Sequence, residues 1–432
     1  MIRLRGGRWM AGTHSLDERL GRSAKTLAAL YGTAGVAEAR DRYAALASPL
    51  FSDAGVEALR FYSAPGRTEI AGNHTDHNRG RVICAAIRQD ALACVRPRPD
   101  RLVKLVSKGF DGEIRIDLDS TDFRPEERGT MTALLRGVAA ILEGMGCRFP
   151  GFDARVDSRV AVGSGLSSSA AMEVLLATIM LDLAKTALGP LDVAKVARRA
   201  ENEWFGKPCG LMDQAASASG GFVTIDFENP EKPVLRRIHI ETGSLGYRLF
   251  AVAPGDGHAD LTSDYAAIPQ EMRAVASFLG FDELRSVDPA SLEFRGRDIR
   301  SALGDRALLR AFHFVDENER VRKMAKALEA GKFRKFLDLV TRSGDSSWRL
   351  LQNVSTGREP ASQSLAVAIA LSQRWLGKDG AARVHGGGFG GTMQAWVSKK
   401  RAAAYRRYIE GWFGEGSVVE LEIRGPGACR VL

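Results

Sequence analysis

No apolar run in the chain approaches the ~20 residues that a bilayer crossing needs. The most apolar stretch, 170–188, is interrupted by Glu173, Asp182 and Lys185. Proline is scarce, at 15 of 432 residues, and no tract is low in complexity. That excludes collagen-like and proline-rich disordered chains. Cysteine is scarce too. Cys84, Cys94, Cys147, Cys209 and Cys429 are scattered, odd in number and free of any CxxC pair. This excludes a disulfide framework and a cysteine zinc site, and points to reduced, cytoplasmic usage. The first twenty residues lack the apolar core of a signal peptide. A block of one charge sign is also missing. Lys and Arg (61) outnumber Asp and Glu (52) for a net charge of +9, but the charges are interspersed and no basic run carries interleaved aromatics. A nucleic-acid partner is therefore not expected, nor a membrane one. The basic balance suits an anionic, phosphorylated small molecule.

What is present is a globular composition, 45% hydrophobic and 26% charged, long enough for more than one core. Residues 1–57 read as an arm with helical stretches at 23–31 and 35–46. Strand patterns occur at 67–70, 82–87, 112–118, 152–162 and 222–227, and 91–97 with 102–106 reads as a hairpin. Helical spacing covers 131–145 and 168–188. Asp192 can cap a helix running to about 205. The charged stretch after Asn229-Pro230 is a join between halves. In the second half, strands at 247–253, 383–384, 392–397 and 418–423 accompany helices at 264–279, 307–330, 333–343, 360–375 and 402–413. Strands and helices mix without regular alternation. That favours α+β in two lobes, 58–230 and 231–432, over a doubly wound sheet.

Three motifs carry chemistry. In Val162-Gly-Ser-Gly-Leu-Ser-Ser-Ser-Ala170 a Gly/Ser loop joins a strand to an apolar helix. Glycines admit close backbone approach, free N–H groups point outward and the helix N-terminus favours an anion, so the loop suits a phosphate. Ser167, Ser168 and Ser169 add hydroxyls, one of which can ligate Mg²⁺. No Gly-Lys-Ser/Thr follows, so this is not a Walker A loop. The bland alternative is a flexible loop before a buried helix. The second motif, Pro65-Gly-Arg-Thr-Glu-Ile-Ala-Gly-Asn-His-Thr-Asp-His-Asn78, packs Arg67, His74, Asp76 and His77 together. Such a density of hydrogen-bonding groups suits a polyol. Zinc is the competing reading, but no third ligand sits at useful spacing. The third, His385-Gly-Gly-Gly-Phe-Gly-Gly-Thr392, is a turn between strands whose glycines could admit a substrate terminus. His14, His239, His258 and His313 show no partners in sequence and read as surface or satisfied core groups.

Together the three motifs resemble the galactokinase branch of the GHMP kinases over about residues 40–430. That family reads Pro-Gly-Arg-Val-Asn-(Leu/Ile)-Ile-Gly-Glu-His-Thr-Asp-Tyr-Asn at the second motif, and Gly-Leu-Ser-Ser-Ser-Ala and Gly-(Ala/Gly)-Gly-Phe-Gly-Gly at the others. A fourth stretch, Gly206-Lys-Pro-Cys-Gly-Leu-Met-Asp-Gln214, is similar to its Gly-x-x-Cys-Gly-Ile-Met-Asp-Gln. The resemblance implies an ATP-dependent sugar 1-kinase, most simply for galactose. It implies an α+β GHMP kinase fold, with a ribosomal-protein-like N-terminal lobe and a ferredoxin-like C-terminal lobe around a cleft. It assigns Asp213 as general base and Arg67 beside it. Ser169 and Glu201, the latter 12 residues before Asp213, become Mg²⁺ ligands. Gly163, Ser164, Gly165, Leu166, Ser167, Ser168 and Ser169 form the triphosphate loop. Asn73, His74, Thr75, Asp76 and Tyr265 face the sugar. ATP and Mg²⁺ are the implied cofactors, and the assembly expected is a monomer or weak homo-oligomer.

The match breaks at several places. Asn73 replaces the glutamate that the family places at the sugar's 6-hydroxyl. His77 replaces a tyrosine. Met131 and Leu134 replace the family's Trp-x-x-Tyr on the adenine side, ahead of Arg136-Gly-Val138. Loss of the charge at residue 73 opens a second reading, a kinase for a C6-modified galactose such as galacturonate, with Arg79 and Arg81 close by as cations. A third reading is a sugar sensor that binds ATP and sugar without transfer. The presence of Arg67, Ser167–Ser169, Glu201 and Asp213 argues for catalysis.

Overall fold

A computed structural model of the chain describes residues 11–48, 55–161, 165–240, 245–255, 261–358 and 360–432, with side chains from residue 16 onward. In chain order the elements begin with α1 (Ala11–Arg22), α2 (Ala24–Ala47), β1 (Arg60–Ala71), β2 (Arg81–Pro97), β3 (Leu102–Ser107), β4 (Ile114–Asp117) and α3 (Met131–Gly144). Then come β5 (Phe152–Ser158), α4 (Ser168–Leu183), α5 (Pro190–Arg199), a π-helical turn (Ala200–Phe205), α6 (Met212–Ser219), β6 (Phe222–Asp226) and β7 (Val234–Ile238). The second half holds β8 (Tyr247–Val252), α7 (Thr262–Phe278), α8 (Pro289–Phe294), α9 (Gly296–Leu303), α10 (Asp305–Glu329) and α11 (Phe333–Ser346). After a second π-helical turn (Ser347–Leu351) follow α12 (Ser364–Leu376), β9 (Gly380–His385), β10 (Thr392–Ser398), α13 (Ala402–Phe413), β11 (Val418–Leu421) and β12 (Cys429–Arg430).

Two sheets organise these elements. The larger has eight strands along the path β12-β1-β2-β5-β3-β4, with β6 and β7 on the other end of β2. The smaller is antiparallel, ordered β11-β8-β10-β9. Numbered within that lobe the order is 4-1-3-2. Helix α12 lies between its first two strands and α13 between its last two, which is the ferredoxin-like arrangement expected. The α+β reading holds.

Several local expectations change. The segments 82–87 and 91–97 form one continuous strand, because the aspartate between them is paired inside rather than turned out. Asp90, fully buried, accepts from Tyr31 Oη at 2.6 Å and pairs with Arg42 and Arg424. The expected hairpin of 91–97 with 102–106 does not form. Strand β5 inserts between them, antiparallel to β2 and parallel to β3. Helix α5 is capped by Gly189 with Pro190 at its start, and Asp192 sits inside the first turn. The larger sheet also passes the boundary at 230, since β7 and β12 both belong to it. The arm is built into the N-terminal lobe. Leu27, Leu30, Tyr43 and Leu46 of α2 share a core with Phe61, Leu92 and Cys94.

Helix α4 is the centre of this lobe. Its sequence is apolar on all sides because it is buried on all sides. That burial aims its N-terminus and Ser169 at the space between the two sheets. No helix among the described residues is long and apolar enough to cross a membrane.

Candidate active site

Strand β1 brings Arg67 to the floor of the cleft. The first turn of α6 brings Asp213 opposite. Arg67 Nε and Nη2 donate to the two carboxylate oxygens at 2.7 and 2.8 Å, a bidentate pair. Arg67 Nη1 also donates to Gly165 O, and the backbone N–H of Arg67 donates to Leu166 O at 3.1 Å. One guanidinium therefore ties the carboxylate to the phosphate loop. Gly66 is required beside it, because a Cβ there would lie 2.8 Å from Leu166 O. Ser167 Oγ donates to Asp213 Oδ2. Burial pushes the Asp213 carboxyl up, but the Arg67 charge and the hydrogen bonds from Arg67 and Ser167 outweigh it and hold the pKa below the ordinary value. Asp213 is thus an ionised proton acceptor whose side chain keeps 32% exposure, while Arg67 keeps 9%.

Ser167 holds φ +63 and precedes the first turn of α4, so Ser168 and Ser169 sit at the positive end of the helix dipole. Gly165 is exposed and Leu166 buried. Gly163 and Ser164 lie outside the described residues. Ser169 Oγ donates to Glu201 Oε1 at 2.9 Å. Glu201 sits in the π-helical turn that ends α5, a distortion that recurs at functional sites. Lys207 Nζ reaches the same Oε1 at 3.2 Å, and Gln214 Nε2 donates to Oε2 at 2.8 Å. No trio of His, Cys, Asp or Glu able to hold a metal occurs among the described residues. A hydroxyl and a carboxylate side by side fit Mg²⁺ nonetheless, because that ion takes one or two protein ligands and fills its octahedron with water and phosphate oxygens.

The sugar-side residues divide. Asp76, His74 and Tyr265 are partly exposed. Asp76 Oδ2 packs on Gly210, where a Cβ would approach it to 2.6 Å, so it borders the loop that leads to Asp213. His74, with φ +58, donates from Nε2 to Gly387 O at 3.0 Å. Burial and then the His77 charge bring its pKa down to about 4, so the ring is neutral. Tyr265 Oη donates to Gly388 O at 3.1 Å. Its ring lies so close over Gly387 that a Cβ there would be 2.4 Å away. Thr75 is fully buried and turns inward, its Oγ 2.6 Å from Arg81 O. Asn73 is also fully buried, and its amide is engaged by Glu69, Gly386, Ser347 and Asn353. Arg81 is committed to Asp226 at 2.7 Å.

Sequence reasoning passed over several residues here. Glu173, fully buried on α4, lies 3.2 Å from Gln214 Nε2. Burial and then the Glu201 charge raise its pKa well above the ordinary value. A carboxylate in the middle of a largely apolar helix was the signal for it. Gln214 was part of the Met-Asp-Gln motif but had no role. Trp204 packs on Gly137 of α3 so closely that a Cβ there would lie 2.8 Å from the indole, and, like Met131, it lies against the N-terminal core. Lys207 lay in the fourth motif stretch without a role, and Arg383 and Asn353 lay outside every motif.

Two family profiles match the chain. The GHMP kinases N-terminal domain covers residues 133–221, and the galactokinase galactose-binding signature covers residues 50–97. Galactokinase of Streptomyces coelicolor is 33% identical over 362 residues, 83% of this chain and 90% of that protein. Galactokinase of Actinobacillus pleuropneumoniae is 31% identical over 84% of this chain and 92% of its own length. Among solved structures, Lactococcus lactis galactokinase complexed with galactose superposes with a TM-score of 0.74 at 23% identity, covering 95% of this chain and 99% of that one. A mevalonate kinase superposes with a TM-score of 0.61 at 15% identity, over 84% of this chain and 99% of its own. Two lobes of these topologies, with a serine-rich helix start facing a carboxylate–arginine pair, define a GHMP kinase. Within that class the chain belongs to the galactokinase family.

Proposed function

We propose that the enzyme transfers the γ-phosphoryl group of ATP to the anomeric hydroxyl of galactose in one in-line step. The observation that carries this is the clamp joining Arg67, Asp213, Ser167 and Gly165. It sets a carboxylate that accepts a proton beside a loop built for phosphates. Asp213 takes the hydroxyl proton. Its lowered pKa makes it a weak base, which suits a loose phosphoryl transition state in which the proton leaves late. Arg67 holds that carboxylate in place and stabilises charge on the moving phosphoryl group. The loop Gly163–Ser169 surrounds the triphosphate, and the α4 N-terminus supplies donors to it. Ser169 and Glu201 would hold Mg²⁺, which neutralises phosphate charge when bound. His74, Asp76 and Tyr265 line the sugar side, with Asn73 and Thr75 behind them. The setting is cytoplasmic, and neither nucleic acid nor membrane enters the reading.

The curated relatives are galactokinases, which does not favour the uronate-kinase or sensor readings. Of the two cations behind the uronate reading, Arg81 is tied to Asp226. The test is ADP release from Mg-ATP with galactose, N-acetylgalactosamine, galacturonate, glucose and arabinose. A clear preference for galactose is expected. A preference for galacturonate overturns the substrate assignment. Sugar binding without turnover overturns the catalytic one.

A further inference from the structure

Asn73 has two amide hydrogens to give and a carbonyl that accepts twice. All are used. Nδ2 donates to Gly386 O at 2.6 Å and to Glu69 Oε1 at 3.2 Å. Oδ1 accepts from Asn353 Nδ2 at 2.7 Å and from Ser347 Oγ at 3.3 Å. The side chain is fully buried. These partners also fix its orientation, because a flipped amide would set oxygen against oxygen at Gly386.

The surroundings are equally committed. Asn353 Nδ2 also donates to Gly387 O at 3.0 Å, and Asn353 O accepts from Phe389 N at 2.6 Å. A Cβ on Gly388 would lie 2.0 Å from Asn353 O. Glu69 accepts from Arg383 Nη2 at 2.9 Å, and Arg383 is fully buried. His313 Nε2 donates to Asn73 O at 3.0 Å. The sugar-side run of one lobe and the glycine-rich turn of the other are thus joined through residue 73. That turn presents the carbonyls that hold His74 and Tyr265.

A second observation points the same way. The family motif carries asparagine where this chain has Glu69, and glutamate where it has Asn73. The carboxylate and the amide have traded places four residues apart, and here they touch. The charge was not lost from the region. It moved from the turn after β1 back onto the strand, where it pairs with Arg383.

We propose that Asn73 is a positioning residue: paired with Glu69, it locks Gly386–Gly388 over the sugar site and does not read the sugar's 6-hydroxyl. It acts through the turn on His74 and Tyr265, so its loss affects sugars with and without that hydroxyl alike. This rests on the galactose-kinase reading for its substrates only.

The test compares wild type and Asn73→Ala with galactose and 6-deoxygalactose. The kcat/KM is expected to fall on the order of thirtyfold for both sugars, with the ratio between them staying within about threefold of wild type. A loss at least about tenfold larger for galactose than for its 6-deoxy analogue overturns the proposal, because that is the mark of a direct contact. Hydrogen exchange supplies a readout without turnover. Amides of 386–391 are expected to exchange faster in Asn73→Ala while those of β2 stay protected. An unchanged turn overturns the proposal. If wild type phosphorylates neither sugar, the galactose reading fails, and the exchange result still decides the role of Asn73. Should Asn73→Ala not fold, the exchange variants decide. Asn73→Glu alone sets two carboxylates on one guanidinium. Adding Glu69→Asn restores the family order and is expected to recover activity at least about tenfold. No recovery refutes the coupling.

Discussion

His385 joins the two lobes at the centre of the site, and its chemistry there sets a measurable acid sensitivity. Its Nε2 lies 3.1 Å from the backbone N–H of Glu69 and 3.1 Å from Thr68 Oγ1. An N–H can only donate, so Nε2 must be the unprotonated nitrogen, and Nδ1 carries the hydrogen toward Thr392 Oγ1 at 2.9 Å. A second proton, on Nε2, would face the Glu69 N–H. It would also enter a buried space next to Arg67 and Arg383, with only the more distant Asp213 opposing them. Burial first, then those two cations, bring the pKa from 6.5 down to about 3. The folded protein therefore binds this proton far less readily than the unfolded chain. Stability falls as pH drops through 6.5 and continues to fall until about 3. At 1.36 kcal/mol for each pH step, the stretch from 6.5 to pH 5 amounts to about 2 kcal/mol. His385→Gln removes that contribution, because glutamine can accept from Glu69 N–H and does not titrate. Urea unfolding of both proteins at about pH 8 and about pH 5 is the assay. Wild type should lose about 2 kcal/mol more than the variant between the two. The other buried histidines and the carboxylates titrate equally in both proteins and cancel. A difference under about 0.5 kcal/mol would refute the neutral, cation-flanked histidine.

Three further outcomes follow from the site. Asp213→Asn should cut kcat by about 10²–10⁴ while calorimetry still detects galactose binding; turnover near wild type would remove Asp213 as base. Arg67→Leu should lower kcat by about 10²–10³ and move the acid limb of the rate profile to higher pH, because burial then acts on Asp213 with only Ser167 and Lys207 left to oppose it; an unmoved limb counts against the pairing. Gly388→Ala should destabilise the fold by about 3 kcal/mol in denaturant melts, since a side chain there meets backbone and φ is +88.

Much of this was legible because the informative residues are local. A phosphate loop needs glycines, hydroxyls and a helix start in immediate succession, so 163–169 could be proposed as one without a fold. The bulk of the helices and strands followed from periodicity for the same reason. What could not be read was set by partners distant in sequence. The 91–97 strand has the pattern of a hairpin arm, but pairing depends on β5, which arrives some sixty residues later. Asp90 looks like a turn residue until Tyr31, Arg42 and Arg424 close around it. Glu201 was singled out by the family resemblance, yet the amide that steadies it, Gln214, was invisible as a role because its two carboxylate partners come from different helical segments.

Residue 73 shows the limit most sharply. Read position by position, Asn73 is the loss of a charge, and a lost charge beside a sugar suggests a changed substrate. Read in three dimensions, the charge persists at Glu69, near the end of β1, and Asn73 touches it from the turn that follows. The bend at Gly72, with φ +94, brings the two side chains together, so carboxylate and amide can exchange without leaving the pocket they fill. Position 73 could then change type without a change of sugar, because the pair as a unit keeps one carboxylate, one amide and one buried arginine. A specificity argument drawn from a single departure therefore fails wherever its neighbour in the same pocket has departed in the opposite sense. For this family member the place to look for sugar preference is the partly exposed trio His74, Asp76 and Tyr265, whose geometry is held by the turn that Asn73 secures.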